Sequence, residues 1–564
     1  MTHQNIPRLL SLVLVVALPA LAQGIQATPP HPTIRLDGVF TDWDGLASLQ
    51  IRSDDTAVQD PAQPVLQQLW STCDADFLYL RLQFDTERNL QGLNQLKLEL
   101  AFDADGNPQT GRAWGRLPGA DLILTFSPPH PHAPDDAPGA GVAAQLLPDS
   151  PLVQFDVYLL DTAFAPTYAA REIEMRVRRH QPLLSHPALF CGDETRAAIR
   201  VFENGRLLDE TTPVTLALAP ARFPLPKQEP RTGLPVKPES TWRVVSWNSR
   251  YAGFIKNPAP FARVLRCLDP DVILFQELTQ QVAAEELAAW LNSHLDDSNE
   301  LPWRAGLHRV PNRQAPAVAS RFPMDFDLRT PPLAELKPTP GFSAARVEIQ
   351  GRSVLFGSIH LPCCGFLDSP RDRTRVAEAE QIAAWLQTLL ASAPPAGIVL
   401  GGDLNLVGGI RPLQILTSSN DLDGTDLEVS HPLHLDQAWD STWADPAQPY
   451  TPGRLDYVMH SDATLDCVQS FIFDPAVLDP QTLASTGLQP GDVVVASDHF
   501  PLVLDFRFAH TGDAPTKPSA TRIGPRAFMP QARPPIGLRN EPDSANFTCL
   551  NRFPSTLSTT KDPA

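Results

Sequence analysis

Positive charge is scarce in this chain: 45 Lys and Arg stand against 64 Asp and Glu, a formal net charge of −19. The same sign dominates residues 241–508, where 19 basic side chains face 32 acidic ones. Sequence-independent binding to duplex nucleic acid draws on phosphate neutralisation by Lys and Arg. The composition therefore argues against a tight DNA binder, while leaving turnover of nucleic acid open. Long apolar runs are scarce too. The one near the start, Leu9 to Leu18, is too short for a comfortable membrane span. With Arg8 before it and Ala20-Leu21-Ala22 after it, residues 1–22 read as a secretory signal, and the protein is expected to be secreted or periplasmic. No Cys follows the cleavage region, which argues against a lipid anchor. Cysteine totals only seven, an odd number. Cys363-Cys364 matches no common zinc spacing. Chain neighbours pair poorly with each other, so these two are expected to bridge elsewhere, to Cys267 for example, or to pack. Cys73 and Cys191 are a candidate staple.

Proline, by contrast, is plentiful, at 59 residues. Pro220, Pro224, Pro226, Pro230, Pro235 and Pro238 mark 219–240 as a stiff linker holding two halves apart. Residues 509–564 turn Pro-, Ser- and Thr-rich without a period and are expected to be disordered; the sequon Asn546-Phe547-Thr548 lies there. At 564 residues and 43% hydrophobic content the chain can bury more than one core, so a multidomain protein is expected.

Between Trp242 and Phe508, runs that read as buried strands end in chemistry-bearing residues. Trp242 to Asn248 ends in a carboxamide, Pro270 to Glu277 in a carboxylate, and Ser353 to His360 in an imidazole. Gly397 to Gly402 leads into Asp403-Leu404-Asn405, and Ser497-Asp498-His499 runs into Phe500 to Phe506. Arg454 to Met459 carries Asp456 inside an apolar strand. Polar groups at strand ends converge on one rim of a sheet. Oxygen ligands for a hard cation, a carboxylate to orient water and donors for a phosphate are the kit that phosphate-ester hydrolysis needs. All-oxygen ligation suits magnesium or manganese better than zinc. His308, His431, His434 and His460 read as surface or loop residues, and Arg250, Arg321, Arg371, Arg373 and Arg375 as a local basic patch or as solvated arginines.

Together these residues make 241–508 resemble the endonuclease/exonuclease/phosphatase superfamily of metal-dependent phosphoesterases. The resemblance implies a four-layer α/β sandwich, two mixed β-sheets face to face with helices outside. It implies Glu277 and Asn248 as the metal pair, with Asp498 contributing to the metal or its water shell. It makes His360 a phosphate contact, Asp403 the group that orients or deprotonates water, and Asn405 a phosphate donor, with Asp456 orienting His499. Arg250 departs from the apurinic-endonuclease branch, which carries an acid there. Nucleic acid, phospholipid and sugar phosphate all remain open as substrates, a deoxyribonuclease-like endonuclease being one form. A non-catalytic exported binding protein using the fold as a scaffold is the contrasting reading.

Residues 30–218 read as β-structure, with Phe77 to Phe84 and Leu96 to Phe102 alternating at strand period. The Asp37-Gly38…Asp42-Trp43 opening and the Asp103-Ala104-Asp105-Gly106-Asn107…Thr110-Gly111 loop resemble family 9 carbohydrate-binding-module-like β-sandwiches. Asp103, Asp105 and Asn107 are candidate calcium ligands. Trp43, Trp70 and Trp114 are candidates for contact with a carbohydrate or surface ligand. Oligomeric state is not readable from the sequence.

Overall fold

The computed structural model describes residues 34–509, apart from 53–63, 93–94, 131–132, 135–136, 148–152, 156, 180–188, 219–229, 296–300 and 327–338. Residues 1–22 expected to form a secretory signal, the 219–229 part of the expected linker, residues 510–564 and the sequon within them lie outside the described residues. Among the described residues no helix is long and apolar enough to cross a membrane.

The N-terminal half is all-β. One antiparallel sheet orders Leu66–Cys73, Phe77–Arg88, Ala170–Arg178 and Ala163–Ala165. The other centres on Glu194–Glu203, Leu96–Asp103, Leu122–Phe126 and Val142–Leu146. Leu78, Leu80 and Leu82 from the first sheet share one core with Leu98, Leu100 and Leu124 from the second. This is the packing that alternating strands require.

In the C-terminal half we label six strands: β1 (Trp242–Asn248), β2 (Val272–Leu278), β3 (Arg352–His360), β4 (Gly397–Asp403), β5 (Asp456–His460) and β6 (Leu502–Phe508). One sheet runs Arg304–Leu307, Ala315–Ser320, β2, β1, β6, Leu465–Ile472. Its partner runs Met324–Asp325, Phe342–Ile349, β3, β4, β5, Glu428–Val429. Each sheet holds one parallel pair, β1 with β2 and β3 with β4, among antiparallel neighbours. Both sheets are thus mixed. Every residue of β1 and β4 is buried, which is why these segments read as continuous apolar runs rather than alternating ones. Trp242, Val244 and Leu274 of one sheet share a core with Val354, Phe356 and Val458 of the other. The helix Pro258–Leu268 covers the outer face of the first sheet through Phe261 and Leu265. The helix Pro370–Ser392 covers the second through Ile382, Leu386 and Leu389. The expected four-layer sandwich is the observed architecture. Arg243 ties β1 to β6 by a buried fork onto Asp505, with both N···O distances 2.7 Å, the geometry that makes a buried ion pair tolerable.

The expected separation of the halves is not what the structure shows. Leu36 exchanges backbone hydrogen bonds with Ala438 and Asp440, Val142 N–H donates to Pro449 O at 2.6 Å, and Ala169 N–H to Gly408 O at 2.7 Å. Side chains join in: Asn89 bonds to Val407 O and Leu367 N, Gln91 Oε1 accepts from Thr451 N, and Thr167 Oγ1 from Arg454 N. A Cβ on Gly141, at φ 75°, would lie 2.3 Å from Pro449 O, so only glycine permits this approach. Residues 230–238 do not hang free either. Arg231 N–H bonds to Val477 O, Gly233 N–H to Thr482 Oγ1, and Lys237 pairs with Asp271. Proline stiffness sets φ but does not decide whether a segment packs.

Other expectations are corrected by local chemistry. The Cys73 thiol donates to Ala217 O and the Cys191 thiol to Leu189 O rather than the two forming a staple, and Cys267 carries a thiol rather than a bridge to Cys363 or Cys364. At the candidate calcium loop, Asp121 joins Asp103 and Asp105 with carboxylate oxygens within 4.8 Å of one another, while Asn107 donates from N–H to Asp105 Oδ1 and accepts from Gln109 N at Oδ1 in the turn. Asp103 already receives the Arg196 guanidinium. Trp43 is buried with Nε1 on Glu174, and so belongs to the core rather than to a ligand face. His434 and His460 are buried as well, His434 stacked on Trp439.

Candidate active site

Seven side chains meet where the two sheets open at one end. Asn248 closes β1 and donates from Nδ2 to Glu277 Oε1 at 3.3 Å and to Asp403 Oδ2 at 3.0 Å. Its Oδ1 is held by Arg250 N–H. Glu277 stands in β2 at φ 60°, where the register against Ala315–Ser320 shifts between Phe275 and Leu278. A bulge of this kind re-aims a side chain at a sheet rim. Its Oε2 accepts from Tyr251 N at 3.1 Å.

His360 ends β3 with Nε2 3.7 Å from Glu277 Oε1 and 3.8 Å from Asp403 Oδ2, while its buried Nδ1 has no hydrogen-bond partner among the described residues. Burial pushes this imidazole down to about 3, with the charges of Arg313 and His499 adding to the effect. His360 is therefore neutral at ordinary pH. Asp403 ends β4 and accepts three hydrogen bonds, from Asn405 N at 2.9 Å and from the carboxamides of Asn248 and Asn405 at 3.0 Å each. Burial lifts its carboxyl well above the usual range, His499 opposes that, and Asp456 and Glu277 reinforce it. Asn405 sits at φ 48°, a conformation Asn tolerates better than most residues, and also donates to Leu361 O.

Asp456 faces Asp403 across the β4–β5 ladder and receives His499 Nδ1 at 2.8 Å. Burial alone would depress His499, but Asp456, then Asp403 and Asp498, outweigh it and lift the imidazole to about 10. Two histidines in one site are thus held in opposite charge states by their neighbours. A charged acid of this kind is retained below its pKa and lost as pH rises through it. Asp456→Asn is expected to shift the loss of charge at His499 to lower pH. Titration of its ring by NMR, with the alkaline limb of the pH–rate profile, checks this; an unmoved titration would contradict the assignment.

Glu277, His360 and Asp403 each present a ligand atom within 4.8 Å of the others. Two carboxylates crowded at a buried rim, both pushed toward protonation by burial, suit a cation that would supply the missing positive charge. Asp498 stays outside this group. It is half-buried, accepts from Trp443 Nε1 at 3.4 Å and lies 3.8 Å from Arg250 Nε.

Of the anticipated basic patch, Arg250 reaches this rim, its Nε 3.8 Å from Asp498. Arg321 pairs with Asp269, Arg373 bonds to Asp368 O, and Arg375 is fully buried as a clamp on backbone carbonyls. Sequence reasoning missed the supports. Thr442 Oγ1 accepts from Leu455 N and Asp456 N at 2.9 Å each, Trp443 holds Asp498, and Ser497 Oγ donates to Asn248 O. Arg313 donates to His360 O. Ser497 lies in a tripeptide already singled out in the sequence, but Thr442, Trp443 and Arg313 lie in loops or turn edges with no periodic pattern, so nothing in the sequence marked them.

Residues 245–499 match the model of the endonuclease/exonuclease/phosphatase family. No curated protein matches the chain. Similar solved structures include the human Nocturnin catalytic domain with bound sulfate anion, at 16% identity over 49% of this chain and 97% of that one, TM-score 0.32. The 3′ phosphatase NExo from Neisseria, bound to product DNA hairpin, is 18% identical over 47% and 99%, TM-score 0.30. An AP endonuclease from Archaeoglobus fulgidus is 14% identical over 47% and 98%, TM-score 0.29.

Proposed function

We propose, from the match of residues 245–499 to the endonuclease/exonuclease/phosphatase family, that the protein is an exported phosphoesterase using magnesium or manganese. It hydrolyses phosphodiester or phosphomonoester bonds by in-line attack of water. The observation that carries this reading is the meeting of Glu277, His360, Asp403 and the Asp456–His499 pair at one rim.

Glu277, with Asn248, would hold the cation, and Asp498 would contribute through its water shell. Bound there, a divalent ion neutralises phosphate charge and polarises a phosphoryl oxygen. Asp403 orients the attacking water and takes its proton, its carboxylate fixed by the two carboxamides. His499, held charged by Asp456, stabilises the charge that develops on the phosphoryl oxygens. Neutral His360 and the Asn405 amide donate to the phosphate. The filled set of positions favours an enzyme over a scaffold, because a binding scaffold has no need of a water-handling acid.

Bis-p-nitrophenyl phosphate, plasmid DNA, sphingomyelin and inositol phosphates, each with magnesium, separate the substrate classes. Hydrolysis is expected to disappear in excess chelator and return with magnesium or manganese. Glu277→Gln is expected to raise the metal requirement and lower turnover at least about tenfold. Full activity in chelator would remove the proposal.

A further inference from the structure

Cys363 and Cys364 lie on the loop that leaves β3, and both are exposed. Their Sγ atoms are 2.7 Å apart, too close for any third atom to intervene. The backbone is turned to make this approach, with Cys364 at φ 74° and Gly365 at φ 90°. The buried Arg375 holds the turn by donating from Nη1 to Pro362 O at 2.9 Å and Cys364 O at 2.8 Å. The same loop is tied to the catalytic rim through Leu361, whose N–H donates to Asp403 O and whose carbonyl accepts from Asn405 Nδ2, each at 3.0 Å. The hydrogen bond with Cys364 draws the Cys363 thiol down to about 7, helped by Arg371 and Arg375 and opposed by partial desolvation from neighbouring groups and by Glu277. A thiolate is therefore present near neutrality.

We propose that Cys363 and Cys364 form a thiol–disulfide exchange site at the rim of the catalytic centre, taking low-molecular-weight disulfides of the glutathione class. The Cys363 thiolate attacks one sulfur of the small disulfide, whose S–S bond breaks and releases one thiolate. Cys364 gives up its proton to the released thiolate and, as a thiolate, attacks Cys363 Sγ; the second sulfur leaves as a thiolate and takes up from solvent the proton Cys363 had released. Two protein thiols are oxidised, one disulfide is reduced to two thiols, and no further oxidant is required. Chain-neighbour Cα atoms are about 3.8 Å apart, shorter than the usual disulfide separation of about 4.4–6.8 Å, so the closed ring is strained and excess thiol reopens it. Closure re-sets the 361–364 backbone that positions Asp403 and Asn405. On the phosphoesterase reading above, on which this coupling rests, closure slows turnover.

The full chain is reduced, desalted and equilibrated with increasing oxidised glutathione, then alkylated and weighed intact and as peptides. The peptide carrying both cysteines is expected to lose two hydrogens and to take up neither alkyl group nor glutathione. Cys364→Ala is expected instead to trap glutathione on Cys363. Turnover of wild-type protein is expected to fall about tenfold on closure, as small displacements of catalytic groups do, and to recover with dithiothreitol. The Cys363→Ala/Cys364→Ala double variant should not respond to oxidised glutathione. Two alkylated thiols at every ratio, or a stable glutathione adduct on each in wild-type protein, would overturn the exchange site. A closed ring with unchanged turnover on a substrate the reduced protein hydrolyses would overturn the coupling. Absence of any hydrolysis by reduced protein would count against the phosphoesterase reading and leave the mass result to decide the exchange chemistry.

Discussion

Asp403→Asn and His499→Ala are each expected to lower turnover on the order of a thousandfold while the fold survives. Asp403→Asn keeps an oxygen for the Asn405 N–H but sets an NH2 group against the carboxamides of Asn248 and Asn405 that donate to Oδ2, so it removes the proton acceptor and loosens the contacts that fix it. At position 499, Ala leaves Asp456 without its 2.8 Å partner and removes the positive charge aimed at the rim. Asp403 Oδ2 and His499 Nε2 are 3.8 Å apart, close enough to act on one reacting group. The double variant is therefore expected to be little worse than either single one, as for residues that act as a unit. Single-turnover rates with far-ultraviolet circular dichroism as a folding control give the result. Wild-type-like turnover in both single variants would mean that neither group handles the water or the phosphate.

A chain beginning at Glu239 is expected to aggregate or to lose at least about tenfold in activity, in contrast to what the proline-rich segment alone suggests. Removing the sandwich strips Leu36, Ala163 and Ala165 from their cluster with Trp439 and leaves the donors at Thr451 and Arg454 unpaired. The damage also reaches the chemistry. The loop from Thr442 to Arg454 is pinned by Tyr158, Gln91, Val142 and Thr167 of the sandwich, and that loop supports Asp456 and Asp498. A protease site engineered between Leu218 and Pro230 supplies the complementary measurement. The cut halves should co-elute and keep full activity. Separation of the halves with activity retained in the C-terminal piece would contradict the interface.

The strands of the C-terminal half were legible because each is a run of apolar residues closed by one polar group, and burial on both faces demands that pattern. The meeting of Asn248, Glu277, His360 and Asp403 could be anticipated for the same reason, since strand ends share a rim. The docking of the sandwich could not. It uses backbone carbonyls at Val407, Gly408 and Pro449 and a bare approach at Gly141, none of which leaves a periodic trace. Asp121 was missed beside Asp103 for a related reason: a partner across a sheet is invisible to spacing along a loop.

β6 is the last described strand, yet it pairs with β1 near the centre of its sheet, Trp242 against Phe506. Between them the chain must complete the whole second sheet. During synthesis β1 therefore waits with one unpaired edge until nearly the entire domain has emerged, an exposure that invites pairing with another nascent chain. His499 arrives with that same strand. Catalytic competence and closure of the sheet are thus one event, and a ribosome-bound chain stopped short of Phe508 should be both inactive and dependent on chaperones.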